Sequence, residues 1–343
     1  MKNSKKLLIT GGAGFIGSNI AWYFAAHGYQ VTIFDNFKRR GTRQNFAWIK
    51  SKLPKVKVII GDIRNRQDLE KAVEGQDIIF HLAAQVAVTT SVVDPRVDFD
   101  INALGTFNLL EAARVEGKKP IIIFASTNKV YGDRPNTLPL VELKTRYELP
   151  KNHRYYKGID ESMSIDNSLH SIFGASKVAA DIMVQEYGKY FGLKTAVFRG
   201  GCLTGPAHSS TQLHGFLAYL VACIATGRKY TVFGYKGKQV RDNIHSYDLV
   251  NAFYHFYKKP RYGEVYNIGG SRHSNVSVIE AIGKTEKIIG KKGNIDYLDK
   301  PRRGDHIWYI SDVSKFRSHY PNWEFKYDIN RIIKELCKYG HFK

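Results

Sequence analysis

Three glycines near the N-terminus have the spacing of a phosphate-binding turn. Gly11, Gly14 and Gly17 form the pattern G-x-x-G-x-x-G in GGAGFIG, after the apolar run KLLIT and before a helical pattern. Glycines there allow a tight turn and a close approach of the backbone to a pyrophosphate. The N–H groups and the dipole of the helix N-terminus then stabilise the negative charge. The motif predicts a dinucleotide site that also includes Phe15 and Ile16.

An acidic residue stands where the second strand of such a site would end. Asp35 closes the run QVTIFD and is followed by Asn36. A carboxylate there accepts hydrogen bonds from the adenosine ribose hydroxyls and repels a 2′-phosphate, which favours NAD over NADP. The neighbouring Arg39 and Arg40 weaken that preference a little. We therefore predict that Asp35 and Asn36 bind NAD.

Two further strand ends are predicted to line the cofactor. Asp62 and Ile63 follow the third strand in GDIRN, where the carboxylate can reach the adenine edge. The fourth strand ends in HLAAQ, whose small residues let the backbone approach the cofactor. The residues concerned are Leu82, Ala83, Ala84 and Gln85. Each stretch taken alone is also compatible with an ordinary loop.

Apolar strand-like runs alternate with helical patterns in the first part of the chain. The strand-like runs cover 6–10, 30–35, 56–60, 77–83, 120–126 and 195–199, and the longer helical patterns cover 95–116 and 173–191. Apolar strands that alternate with helices are typical of a parallel sheet covered on both faces. The sequence predicts an α/β fold with a doubly wound parallel sheet of the Rossmann type.

The alternation of strand-like and helical patterns ends at about residue 200. The segments that follow are shorter and mix the two patterns. We predict an NAD-binding Rossmann domain over 1–199 and a smaller C-terminal α/β substrate-binding region over 200–343. The polar, proline-containing segment 133–170 is predicted to form a lid-like insertion.

Composition narrows the classes of function. The 343 residues carry a formal net charge of +21, but the positive residues are spread out and accompany no nucleic-acid-binding motif, which favours a solvated basic surface over a nucleic-acid partner. No apolar run is long enough to span a membrane, and the N-terminus lacks a signal-peptide pattern. Three widely spaced cysteines indicate a reducing compartment, which we take to be the cytoplasm, and no zinc or other metal site.

The motifs together resemble the extended short-chain dehydrogenase/reductase family. The resemblance rests on the spaced glycines, Asp35, GDIRN, HLAAQ, STNKVYG (126–132), GKQVRDNIH (237–245) and YNIGG (266–270). Within that family the chain is similar to the nucleotide-sugar epimerases, most closely to the CDP-paratose 2-epimerases. That likeness rests on QVAVTTSV (85–92), DFDINALGTFNLLEA (98–112) and STNKVYGD (126–133).

The resemblance implies a reaction and a set of site residues. NAD takes a hydride from one sugar carbon, a transient keto sugar turns in the site, and the hydride returns to the other face. In the 2-epimerases that carbon is C2 of a CDP-hexose. By position, the Thr127 hydroxyl polarises the sugar oxygen, Lys177 holds the nicotinamide ribose, and Arg241 and Arg302 bind the nucleotide diphosphate. The family also implies a homodimer or homotetramer that packs the helices near 95–116 and 173–191 across a two-fold axis.

The two residues after Thr127 bear on the reaction type. Related 4,6-dehydratases carry an Asp-Glu pair there to expel water, whereas this chain has Asn128 and Lys129. Neither is a carboxylate at neutral pH, so a dehydratase of that type is not expected. Asn128 is instead predicted to contact the substrate.

The family's proton-accepting tyrosine is replaced here by Phe173, four residues before Lys177. The substitution is engineered, or another group (Cys202, Lys177, Thr127, His170 or Glu161) takes over the role, or catalysis is lost and only ligand binding remains. The intact hydroxyl, lysine and arginines favour an enzyme. The alternatives are a C4-epimerase or oxidoreductase of a nucleotide sugar, and a catalytically silent NAD/nucleotide-sugar binding protein.

Overall fold

The computed structural model describes residues 4–205, 208, 215–302 and 304–339. Its strands, in chain order, are β1 (Lys6–Thr10), β2 (Gln30–Asp35), β3 (Lys57–Ile60), β4 (Ile78–His81), β5 (Ile121–Thr127), β6 (Val141–Glu142), β7 (Tyr147–Glu148), β8 (Thr195–Gly200), β9 (Cys202–Thr204), β10 (Tyr230–Phe233), β11 (Val240–His245), β12 (Glu264–Ile268), β13 (Asn275–Ser277), β14 (Ile295–Leu298) and β15 (Trp308–Tyr309).

The helices frame these strands. They are α1 (Phe15–Ala26), α2 (Thr42–Lys52), α3 (Arg66–Val73), α4 (Val88–Val93), α5 (Pro95–Phe99), α6 (Gly105–Val115), α7 (Ser171–Phe191), α8 (Phe216–Thr226), α9 (Ser246–Lys258), α10 (Val278–Ile289), α11 (Ser314–His319) and α12 (Ile329–Tyr339). A π-helix over Asp100–Leu104 joins α5 to α6. The long helix predicted over 95–116 is therefore three consecutive helical segments. None of the described helices is long and apolar enough to cross a membrane.

The largest sheet has seven strands in the order β12-β8-β5-β4-β1-β2-β3. Strands β5, β4, β1, β2 and β3 pair in parallel with their neighbours, and Leu7 of β1 lies opposite Val31 of β2 and Ile78 of β4. The chain runs outward from β1 to β3 and then returns to the other side of β1 at β4. Such a reversal opens a crevice at the carboxyl ends of β1 and β4, where ligands bind in doubly wound folds. The predicted fold class is confirmed.

The chain divides into two compact units. The first comprises Met1–Val130, Ser171–Arg199 and Val250–Tyr266, and the second comprises Tyr131–His170, Gly200–Leu249 and Asn267–Lys343. The predicted lid segment 133–170 thus belongs to the second unit. Residues 250–266, which lie in the region predicted to bind substrate, belong to the first. What each unit binds stays a prediction.

Each unit has its own apolar core. In the first, helices α3, α6 and α7 pack on the large sheet through fully buried side chains such as Leu69, Leu109 and Val184. In the second, helices α8, α10 and α12 pack together with β10 and β13 through Leu220, Val232 and Ile333. The second unit also contains a sheet in which β11 pairs with β9, β13 and β15, a β10–β14 pair and a β6–β7 hairpin. Burial of these side chains stabilises each unit.

Candidate active site

The glycine turn has the geometry of a dinucleotide cradle. Gly11 has a φ of 68° and accepts a hydrogen bond from the N–H of Gly14 at 2.9 Å. A Cβ atom on Gly11 would lie 2.8 Å from the Ala83 nitrogen, and one on Gly17 would lie 2.4 Å from the Gly11 oxygen. Helix α1 begins at Phe15 without a side-chain cap or an acidic residue in its first turn. Its N–H groups, which side chains leave uncapped, therefore fit the pyrophosphate of NAD.

Asp35 joins the glycine turn to the end of β2. One carboxylate oxygen accepts the N–H of Ala13 at 3.0 Å and the other accepts the N–H of Phe37 at 2.9 Å. Burial raises the pKa of Asp35, while these backbone hydrogen bonds oppose the rise. Each oxygen of a carboxylate has two lone pairs, so Asp35 can hold the turn and still accept a ribose hydroxyl.

Asp62 is paired with an arginine that the sequence analysis did not consider. Arg64 bonds both carboxylate oxygens, from Nε at 2.9 Å and from Nη2 at 2.8 Å, and the side-chain amide of Asn36 donates at 3.2 Å. These bonds hold the pKa of Asp62 far below its ordinary range. Ile63 is buried against α6, where a Cβ atom on Gly105 would lie 2.7 Å from its side chain. Contact of Asp62 and Ile63 with the adenine stays a prediction.

A buried histidine fixes the backbone after β4. Nδ1 of His81 lies 2.7 Å from the Thr10 hydroxyl and Nε2 lies 2.9 Å from the Thr106 hydroxyl. The Thr106 hydroxyl donates to a carbonyl one turn earlier, so it accepts from Nε2–H, and Thr10 donates to Nδ1. The Thr10 oxygen also accepts the N–H groups of Leu82 and Ala83, each at 3.3 Å. Burial lowers the pKa of His81 to about 3, which keeps this ring neutral.

The π-helix places an asparagine that the sequence analysis missed. Asn102 is buried, accepts the backbone N–H of Gln85 at 3.0 Å, and donates to Ser176 of α7 at 3.1 Å. Both Ser176 (2.5 Å) and the Gln85 side chain (2.7 Å) donate to the buried carboxylate of Asp98. This network ties the HLAAQ segment, which includes Ala84, to α7. The signal in the sequence was the spacing of Asp98, Asn102 and Thr106, which puts three polar groups on one helix face.

Helix α7 carries the predicted proton-transfer position. Phe173 is buried, and its N–H donates to the Ser91 hydroxyl at 3.1 Å. One turn later, Nζ of Lys177 donates to the carbonyl of Ala125 in β5 at 2.8 Å and lies 4.0 Å from the centre of the Phe124 ring. Burial lowers the pKa of Lys177 to about 7.

A buried ion pair fixes α7 against the sheet. Arg199 of β8 donates to both oxygens of Asp181, from Nε at 3.0 Å and from Nη2 at 2.9 Å. The Ser126 hydroxyl of β5 donates to the same carboxylate at 2.7 Å. A two-point arginine bond restricts geometry more than a single contact does, so it fixes the helix that carries Lys177 relative to β8, and the Ser126 bond adds a contact with β5.

Thr127 ends β5 and is followed by a polar turn. Its hydroxyl accepts the N–H of Lys129 at 3.2 Å and lies 3.4 Å from the side-chain oxygen of Asn128, which is buried. The turn offers a hydroxyl and an amide and no carboxylate. Cys202 lies in β9 opposite Asn243 of β11, is half-buried and forms no disulfide in the described part of the chain. Its predicted part in proton transfer stays a prediction.

The two predicted substrate arginines line one cleft in the second unit, together with Gln239 and the aromatic residues Phe216, Tyr230 and Phe233. Asp305 pairs with Nε of Arg302 at 3.0 Å and lies 3.8 Å from Nη2 of Arg241. The Arg302 guanidinium stacks over the Phe233 ring, 5.6 Å from its centre. Two guanidinium groups opposite one carboxylate retain positive charge, which fits a diphosphate.

Comparison with known proteins agrees with this geometry. The family model described as the NAD dependent epimerase/dehydratase family matches residues 7–269. The chain is 38% identical to CDP-paratose 2-epimerase of Salmonella typhi, over 90% of this chain and 92% of that protein.

Solved structures of the same class superpose over nearly the whole chain. UDP-glucose 4-epimerase of Thermus thermophilus in complex with NAD gives a TM-score of 0.79 at 27% identity and covers 98% of both chains. A tyrosine-to-phenylalanine mutant of UDP-glucuronic acid 4-epimerase from Bacillus cereus, in complex with UDP-4-deoxy-4-fluoro-glucuronic acid and NAD, gives 0.81 at 26% identity and covers 97% of this chain and 98% of that one. The chain therefore belongs to the NAD-dependent epimerase/dehydratase family and is an NAD-dependent enzyme of sugar nucleotides.

Proposed function

We propose that this enzyme is a 2-epimerase of a CDP-hexose. The observation that carries the proposal is its 38% identity to CDP-paratose 2-epimerase over 90% of the chain. The likeness extends across both units, so it covers the residues that we expect to bind the cofactor and those that we expect to bind the nucleotide.

The residues of the chain suit this reaction. NAD, when bound by the glycine turn and Asp35, accepts a hydride and returns it. The Thr127 hydroxyl, at the carboxyl end of β5, hydrogen-bonds to the sugar oxygen whose carbon reacts. Arg241 and Arg302 bind the two phosphates, because a guanidinium fork matches a pair of phosphate oxygens. Because the diphosphate stays bound, the keto sugar can turn without leaving the enzyme.

The turn after β5 disfavours loss of water. Elimination needs an acid to protonate the leaving hydroxyl and a base to remove a proton. Asn128 and Lys129 occupy the first two places after Thr127, and the Asn128 side chain lies against the Thr127 hydroxyl. Epimerisation by hydride transfer expels no hydroxyl and removes no proton from carbon, so it does not need this pair of groups in the turn, and the turn supports an epimerase over a dehydratase.

A 4-epimerase is the second candidate, because the chain superposes on UDP-glucose 4-epimerase with a TM-score of 0.79. The two reactions use the same hydride chemistry and differ in the sugar carbon that faces the nicotinamide. The nucleotide base separates the two candidates further. The 2-epimerase relative is named for a CDP sugar, and the 4-epimerase relative is named for a UDP sugar.

The test is to incubate the chain and its Phe173→Tyr variant with NAD and CDP-, UDP-, GDP- and dTDP-hexoses, and to follow the sugar protons by NMR. Inversion at C2 of a CDP sugar by either chain is the expected result. Inversion at C4 of a UDP sugar would replace the proposal by the second candidate. If both chains leave the configuration of every sugar unchanged, the result would favour a protein that binds NAD and nucleotide sugars without turning them over.

We propose that two copies associate through the outer face of the first unit. Exposed apolar side chains lie along α5, the π-helix, α6 and α7, among them Phe99, Leu104, Phe107, Ile172 and Ile182. A second copy that presents the same helices would bury them across a two-fold axis. Light scattering should give twice or four times the mass of the 39.0 kDa chain. Phe107→Glu should lower the mass at least by half, while the matched surface variant Lys71→Glu should leave it unchanged. A monomeric natural chain would contradict the assembly.

A further inference from the structure

Lys177 is a buried amine that forms no ion pair with a carboxylate in the described part of the chain. Its side chain is 3% exposed, Nζ donates to the Ala125 carbonyl at 2.8 Å, and the Phe124 ring packs against it. Removing an ammonium ion from water costs several kcal/mol unless an anion compensates. A lysine in these surroundings is therefore readily deprotonated.

The charged and titratable groups around Lys177 are committed to other partners. Asp181, on the same helix, is bonded at both oxygens by Arg199. Asp98, on α5, accepts bonds from Ser176 and Gln85. His81, on β4, is held neutral by its threonine partners and by burial. Burial lowers the pKa of Lys177 to about 7, and the negative charges of Asp181 and Asp98 oppose this only in part.

We propose that Lys177 is the general acid–base of this enzyme, in place of a residue at position 173. The assignment rests on the proposed epimerase function. Phe173 lies one turn earlier on the same face of α7 and has no proton to exchange. A neutral amine has two N–H donors and one lone pair. Because the Ala125 carbonyl can accept only an N–H, that bond leaves the lone pair of Nζ unused, and the assignment has this lone pair accept the proton of a substrate hydroxyl.

The proton and hydride balance in both directions. As the sugar C–H hydride leaves for the nicotinamide of NAD, the O–H bond breaks and its proton passes to Nζ, which becomes an ammonium ion. On return of the hydride to the other face, the ammonium ion gives its proton back to the sugar oxygen. The enzyme ends in its starting state, with no other acid, base or oxidant consumed. A group that must both take and give a proton works best when its pKa lies near the working pH.

The amine can be titrated without any substrate. The full chain, loaded with NAD and labelled with ¹³C at the lysine ε carbon, is followed by NMR from pH 5 to pH 10, and the Lys177→Met spectrum identifies the signal. We expect a midpoint near pH 7, well below the midpoints of the exposed lysines. A midpoint above pH 9 would overturn the proposal whatever the enzyme turns over, because the amine would then be an ammonium ion at neutral pH.

Lys177→Arg separates proton transfer from charge. Arginine keeps a positive charge but does not deprotonate near neutral pH. We expect kcat to fall by about a hundredfold or more, with KM and the amount of bound NAD changed less than threefold. The matched control is Lys189→Arg on the exposed side of the same helix, which should keep full activity and the same melting temperature. In the natural chain, kcat/KM should rise with pH to a plateau above pH 7, since the starting form is the free amine.

The outcomes separate this assignment from the proposed function. Lys177→Arg with more than a tenth of the natural kcat would show that the lysine acts only through its charge, which overturns the assignment. A silent natural chain beside an active Phe173→Tyr variant would leave the epimerase function standing and remove Lys177 as the acid–base. If neither chain turns over any sugar nucleotide, the proposed function fails and the assignment fails with it.

Discussion

A buried carboxylate next to the cleft arginine makes the stability of the protein depend on pH. Asp242 follows Arg241 in β11 and is 1% exposed. One of its oxygens accepts the N–H groups of Ser271 at 3.1 Å and Ser311 at 2.9 Å, while the other has no hydrogen-bond partner among the described residues. Burial raises the pKa of Asp242 from the ordinary 3.8 to about 6, because desolvation outweighs the hydrogen bonds.

Replacing Asp242 by asparagine removes this titration. A carboxyl whose pKa is higher in the folded state stabilises the fold below the unfolded-state pKa, and that contribution is lost as the pH rises through the folded pKa of about 6. The whole shift corresponds to about 3 kcal/mol, and linkage assigns about 1.3 kcal/mol of it to the interval from pH 5 to pH 7. Over that interval we expect the free energy of unfolding of the natural chain to fall by about 1.3 kcal/mol relative to Asp242→Asn.

The assay is urea unfolding of both chains at pH 5, 6, 7 and 8. Any hydrogen bond that the asparagine amide gains or loses adds an offset that does not change with pH. Taking the difference between the chains also cancels every other carboxylate. Asp166→Asn, at an exposed position, is the matched control. A difference that stays constant between pH 5 and pH 7, or that changes in the opposite direction, would refute the reasoning.

Three further predictions concern the cofactor turn, the cleft and the α7 anchor. Gly17→Ala should weaken NAD binding about tenfold in calorimetry. The added Cβ would displace the turn, and the loss of one charge-assisted hydrogen bond to NAD costs about 1.5 kcal/mol. An affinity for NAD within twofold of that of the natural chain would contradict binding of NAD by this glycine turn. Arg302→Lys should weaken nucleotide-sugar binding about tenfold or more through loss of the guanidinium fork, with NAD binding unchanged, while Arg228→Lys should have no effect. Arg199→Met should cost about 3 kcal/mol in urea unfolding because Asp181 is left buried and unpaired; adding Asp181→Leu should recover much of this, and a single variant as stable as the natural chain would show that the pair is not an anchor.

The strands of the large sheet were the easiest elements to predict. A strand covered on both faces reads as a continuous apolar run, and KLLIT, QVTIFD and TAVFR all coincide with β1, β2 and β8 within one residue. Helix α4 and the π-helix escaped prediction. The first has only six residues, too few for a helical period to show. The second depends on one extra residue in a turn, which a pattern of apolar residues does not reveal.

The residues of the candidate site also differ in how readily the sequence predicts them. Gly11 and Gly17 were predictable because the positive φ of Gly11 and the lack of room for a Cβ atom at Gly17 both require glycine, so the residue type itself shows the constraint. The ion pair of Asp62 with Arg64 was not, because a strand-end carboxylate has the same sequence signature whether it faces a ligand or a neighbouring side chain. The network around Asp98 and Asn102 was missed for a different reason. Polar residues in a helix usually face water, and only the packing of α7 shows that these do not.

The replacement of a tyrosine by Phe173 changes the physical state of the lysine one turn away. Next to a phenolate, the ammonium form of Lys177 would gain a compensating anion, and burial would no longer favour the neutral amine. Phenylalanine offers only an apolar ring, so desolvation of the amine is opposed only in part, by Asp181, Asp98 and the Phe124 ring. On the proposed assignment, the phenylalanine that removes one acid–base group would create the conditions for another, because the pKa of Lys177 is lowered to about 7. In Phe173→Tyr, the NMR midpoint of Lys177 should accordingly move above 7 as the phenol ionises.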